Sequence, residues 1–203
     1  MAPGKWLARN TPVLCHLQLF PAPTIKVECW LTSDTYRRSL DHEPFEQNPR
    51  LIAKTTLLSP PMATFELIGE WDTQNVLHDS FRAQHFSFVD LATGKEVVNK
   101  DPFPGTCDPH NPLGKYVMLE IYASKPRETV LYLSDIDPGS DPVRQLEIGH
   151  EYAVKLIPQR IKCYQRSIQQ IFGDRDSVPV EELPEAFEVV LECDTEMRLK
   201  VEE

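Results

Sequence analysis

No stretch of this chain reaches the ~18 consecutive apolar residues of a membrane-spanning helix. The opening MAPGKWLARNTPVLCHLQLF lacks the apolar core and small-residue cleavage site of a secretory signal. A soluble protein of the cytoplasm, with no membrane contact, is therefore the expectation. Clustered cations are missing too: the densest basic spot is Arg37-Arg38, and the formal charge is -10. Phosphate backbones are bound by Lys and Arg clusters, so no nucleic-acid partner is expected. Five cysteines, an odd number at widely spaced positions 15, 29, 107, 163 and 193, do not make a disulfide framework, and reduced thiols are the simpler reading. No G-x-S-x-G elbow, Gly-rich phosphate loop or kinase motif occurs, which argues against standard serine hydrolysis and nucleotide chemistry.

What is present is alternation. In IKVECWLT, Ile25, Val27, Cys29 and Leu31 share one face opposite Lys26, Glu28 and Trp30. VLCHLQLF at 13–20 and TFELIGEW at 64–71 read the same way, as half-buried strands. Further strands are expected at 84–91, 115–123, 129–135 and 150–157. The tail FEVVLE and EMRLKVE, separated by Cys193-Asp194-Thr195, suits a hairpin. Eighteen prolines agree with this picture, since proline breaks helices and is confined to turns and edges of sheets. The best helix signal is RIKCYQRSIQQIFG, ending at Gly173, although its start alternates like a strand. SVPVEELPEAF offers a second short helix, and the polar segment 33–50 reads as a long connection. The predicted fold is all-β, an antiparallel immunoglobulin-like β-sandwich with long loops and little helix, forming one enlarged domain over residues 1–203. Its segment 178–203 is acidic, with nine Asp or Glu against Arg198 and Lys200. That segment reads as a solvated face that aids solubility.

The candidate chemistry sits in DPFPGTCDPHNPLGKYV at 101–117. Irregular stretches of this length are functional more often than short turns are. Cys107 and His110 could act as nucleophile and base, with Asp108 beside them. The same trio could start a zinc site, but no C-x-x-C or H-x-x-x-H pairing supplies the remaining ligands. Neither a metal nor a cofactor is predicted. DIDPGSDP carries Asp135, Asp137 and Asp141 without the calcium-loop spacing and reads as a turn. His150-Glu151 lacks the second histidine of a zinc-protease helix, and His42, His78 and His85 stand alone.

Some strands are apolar on both sides. Trp30 opposes the inward set of its strand, Tyr116 and Tyr122 share a parity with Met118, and Tyr132 opposes Leu131 and Leu133. These sides are either covered by other segments, with Trp6 a candidate, or form a face for a ligand or partner. A hairpin through PAP would set Cys15 opposite Cys29. The resulting expectation is an interaction module without its own catalysis, binding a protein partner or a small apolar ligand through Trp30, Tyr116, Tyr122 and Tyr132. The alternative is an enzyme or small-ligand protein with a pocket at the sandwich end, built on Cys107, Asp108 and His110 with His85 or His150.

Overall fold

The computed structural model describes residues 21–38, 48–67, 75–79, 82–98, 113–133 and 141–203. In chain order the strands are β1 (Thr24–Leu31), β2 (Thr35–Arg37), β3 (Arg50–Ser59), β4 (Met62–Glu66), β5 (Phe86–Asp90) and β6 (Leu113–Gly114). They continue with β7 (Met118–Tyr122), β8 (Arg127–Tyr132), β9 (Glu151–Leu156), β10 (Gln159–Tyr164), β11 (Ser177–Val178), β12 (Phe187–Leu191) and β13 (Met197–Glu202). Among the described residues, two short α-helices, α1 (Asp141–Arg144) and α2 (Ile168–Phe172), interrupt the strands. The protein is thus mostly β-strand with little helix.

The first sheet has the order β1-β3-β8, the second β12-β10-β4-β7 and the third β2-β13-β9-β5; β6 and β11 form a small pair. Among the described residues, all pairings between strands are antiparallel except that of β2 with β13, which is parallel. Prolines lie where the chain changes sheets. Pro60 and Pro61 alone separate β3 from β4, and Ile157-Pro158 separates β9 from β10. Lacking an N–H, a proline cannot continue the ladder on either side.

Strand alternation builds the core. Val27, Cys29, Leu51, Ala53 and Leu57 come from the first sheet, Phe65, Ile121, Ile161 and Leu191 from the second, and Phe88, Tyr152, Val154 and Leu199 from the third. These side chains form one buried cluster, the non-directional burial of apolar area that dominates folding energetics. The segment at 75–79 is pinned to it by hydrogen bonds. The buried Thr129 hydroxyl donates to the Val76 carbonyl at 2.6 Å, and Arg127 donates from Nε to the Leu77 carbonyl at 2.7 Å.

A second cluster covers the other side of the second sheet. Ile171 and Phe172 of α2 pack with Met118, Tyr164 and Val178. Ser167 starts this helix with a capping box: its side chain accepts the Gln170 N–H at 3.0 Å, and Gln170 Oε1 accepts the Ser167 N–H at 2.9 Å. The Glu120 carboxylate on β7 accepts the Ile168 N–H and the Tyr122 hydroxyl. On β7 this packing covers Met118, while Tyr122 stays exposed.

The structure corrects several expectations. Segment 33–50 is not wholly a connection, because Thr35–Arg37 joins the third sheet as β2. RIKCYQRSIQQIFG divides into the end of β10 and α2, and SVPVEELPEAF forms β11 and a 3₁₀ turn at Val180–Glu182. The tail is not a hairpin, since β12 pairs with β10 while β13 pairs with β9 and β2. The run at 13–20 with Cys15, Trp6, His42, Trp71, and Asp135 with Asp137 lie outside the described residues. So do Cys107, Asp108 and His110. Among the described residues, no helix is long and apolar enough to cross a membrane.

Candidate functional site

Three-strand register turns the outward side of the first sheet into a graded surface. Trp30, Ile52 and Val130 are aligned across β1, β3 and β8, and Arg50 is aligned with Tyr132 on the same side. Trp30 is 37% exposed and Tyr132 41%. The next outward row is Glu28, Lys54 and Glu128. Glu28 accepts from Lys26 Nζ at 2.7 Å, which holds its carboxyl below the usual range. An aromatic and β-branched row thus borders an internally neutralised charged row. Tryptophan, tyrosine and arginine are the residue types that carry most binding energy in protein interfaces.

The other two aromatic candidates stand elsewhere. Tyr122 is 44% exposed on β7, at the edge of the second sheet, and its hydroxyl donates to Glu120 at 2.5 Å. Tyr116, 71% exposed, lays its ring against Gly114, where an added Cβ would come within 2.2 Å of a ring carbon. Of the four, only Trp30 and Tyr132 share one side of a sheet, on its two edge strands.

A cleft of about 480 Å³ opens at the far end of β5. Its polar walls are Asp90, Lys95, Glu96, Gln145, Glu147 and Tyr152, with Val97 and Val98 adding apolar surface. Asp90 has the inward parity of Phe86 and Phe88, so the strand delivers a carboxylate to a buried position. Burial is tolerated because its oxygens are satisfied. Oδ1 accepts the Ala92 N–H at 2.8 Å and the Thr93 N–H at 3.3 Å, closing a turn completed by Gly94 at φ +69°. Oδ2 meets His150 Nδ1 at 2.7 Å, and Glu147 Oε2 lies 3.5 Å from His150 Nε2.

These contacts set the electrostatics. The hydrogen bond to Asp90 raises the affinity of His150 for its proton, aided by the nearby Asp90 and Glu147 charges, and the same bond holds the Asp90 carboxyl low. Because the folded value is raised, the protonated ring stabilises the fold below the ordinary value of 6.5. That contribution disappears as pH rises through the folded value. Asp90→Asn should bring the His150 titration, followed by NMR of its ring protons, back toward the ordinary value. An unchanged titration would contradict the pairing.

His85, the second histidine of the pocket alternative, is separate from this pair. It is 5% exposed, and its Nδ1 lies 2.9 Å from Gln159 Nε2. The Val76 N–H donates to Gln159 Oε1 at 3.0 Å, which fixes the amide orientation. The Gln159 amide must then donate to His85 Nδ1, so the neutral ring carries its proton on Nε2. That Nε2 is buried without a partner among the described residues. Burial, with a smaller contribution from Arg82, pulls the His85 pKa down to about 4.

The thiols are also rearranged. Cys29 lies in the core, and Cys193, packed against the same cluster, acts on its thiol. Sequence reasoning had no local signal for this contact, since the two residues approach only through tertiary packing. Among the described residues, no group of three or more His, Cys, Asp or Glu is arranged to hold a metal ion. Set against known proteins, the chain matches no family model, no curated protein sequence and no solved structure.

Proposed function

We propose that this chain is an immunoglobulin-like β-sandwich interaction module, a single enlarged unit in the cytoplasm without its own catalysis, that binds a protein partner through the outward side of its first sheet. The carrying observation is the alignment of Trp30, Ile52 and Val130 beside Arg50 and Tyr132. An aromatic row with an arginine at its border suits a partner presenting an apolar pocket to Trp30 and a hydrogen-bond acceptor to Arg50. The acidic tail is a weaker docking surface, because Glu188, Glu196 and Glu202 are engaged by Arg160, Lys155 and Lys200. Exposed pairs of this kind contribute little to stability but neutralise the local field.

A photoreactive side chain placed at position 30, compared with one at the exposed Val190 on β12, tests the reading in cells that make the protein. A discrete partner should cross-link from position 30 and not from position 190. Equal yields at both positions, or cross-links only between copies of this chain, would contradict it.

The cleft beside Asp90 supports a second reading, a site for a small ligand, because Asp90, Glu96 and Glu147 line one half-open volume together with Lys95 and Tyr152. Titration with small amines, followed through the His150 ring signals, tests it. Saturable shifts that are absent from Asp90→Asn would support it, and unchanged spectra would contradict it.

A further inference from the structure

We propose that Cys29 and Cys193 form a redox-active pair that closes reversibly into a disulfide, tying β1 to the connection between β12 and β13. Both thiols are free, and they come from elements at opposite ends of the described chain. Cys29 is on the inward side of β1, and Cys193, half-buried just beyond β12, packs against the same cluster. β1 packs along β12 and β13, so this junction is a contact between sheets. Burial pushes the Cys29 thiol up, and its neighbour Cys193 pushes it further through charge and hydrogen bonding. Cys163 provides the contrast: it is buried in the same cluster, and burial alone pushes it up to about 12.

The exposures assign an order to the chemistry. With glutathione disulfide as oxidant, the accessible Cys193 sulfur attacks first. Its bond to one glutathione sulfur forms, the glutathione S–S bond breaks, and the departing thiolate takes up a proton. Cys29 then gives its proton to solvent base and attacks the Cys193 sulfur, releasing the second glutathione. Two protein thiols are oxidised, and one glutathione disulfide is reduced to two thiols. Because burial keeps Cys29 protonated, the second step should be the slow one and should accelerate with pH. The pairing rests on thiol packing and is independent of the proposed docking face.

The chain treated with glutathione disulfide, quenched by alkylation and digested without reductant, tests the proposal. The expected product is a peptide pair joining Cys29 to Cys193, abolished by dithiothreitol and formed faster at higher pH. The Cys29→Ser variant should stop at Cys193 carrying one glutathione. Its circular dichroism melt, matched against the reduced protein, shows that it is folded. A stable glutathione adduct on Cys193 in the unsubstituted protein would overturn the proposal. So would linkage of Cys29 to another cysteine, or no reaction.

Discussion

Replacing Phe65 by alanine is expected to lower the unfolding free energy by about 3 to 5 kcal/mol. Phe65 is fully buried on β4, an interior strand of the second sheet, and it is aligned with Cys163 on one side and Leu119 on the other. Truncation removes the transfer free energy of the ring and leaves a cavity between ladders that cannot both close on it. Domains of ordinary stability have only about 5 to 15 kcal/mol in total, so this one change should consume much of it. Urea unfolding measures the loss, with Val190→Ala, on the exposed side of β12, expected to stay within about 0.5 kcal/mol. A loss below about 1 kcal/mol for Phe65→Ala would mean that the ring is not part of a close-packed interior.

The second large effect is acid sensitivity stored in His85. The folded pKa is about 4, against 6.5 for an unperturbed ring. The unfolded chain therefore takes up the proton first as pH falls. Stability from the neutral buried ring is fully present above the unfolded value and is lost as pH drops toward the folded one. The expected loss is about 3 kcal/mol between neutral pH and the folded value. His85→Asn supplies the comparison. Its side-chain oxygen can accept the Gln159 amide in place of Nδ1, and it does not titrate. Other titrating groups, including His150 with its opposite sign, are common to both proteins and cancel in the difference. Parallel pH profiles for the two proteins in urea would contradict the assignment.

Much of the fold can be read from alternation, and the misses have physical reasons. β13 is plain in EMRLKVE because Met197, Leu199 and Val201 face the core while Arg198 and Lys200 face out. β3 escapes the same reading although it is the middle strand of the first sheet. Its inward residues include Ala53 and Thr55, while Ile52 and Leu58 point outward, so its polarity does not alternate. β12 and β13 look like a hairpin in sequence, yet they join different sheets, because strand pairing is decided by which surfaces need covering. Trp30 and Tyr132 were legible as outward residues, but only the β3 register places them on one surface. The His150 and Asp90 pair carried one readable trace: in FSFVD, Asp90 has the inward parity of two phenylalanines. Nothing local in the sequence points to its partner sixty residues away. Cys29 was expected opposite Cys15, which lies outside the described residues, and it is found beside Cys193.

These features assign different tasks to different parts of the chain. The clusters between sheets supply stability, the His85 environment makes that stability depend on acid, and the outward side of the first sheet is the proposed docking face. The most direct test is the affinity of the partner cross-linked from position 30, measured by calorimetry for the unsubstituted chain, Trp30→Ala and Val190→Ala. The expected result is at least about a 30-fold loss for Trp30→Ala, equivalent to ~2 kcal/mol at an interface hot spot, with no change for Val190→Ala. Equal affinity for all three proteins would contradict the central claim.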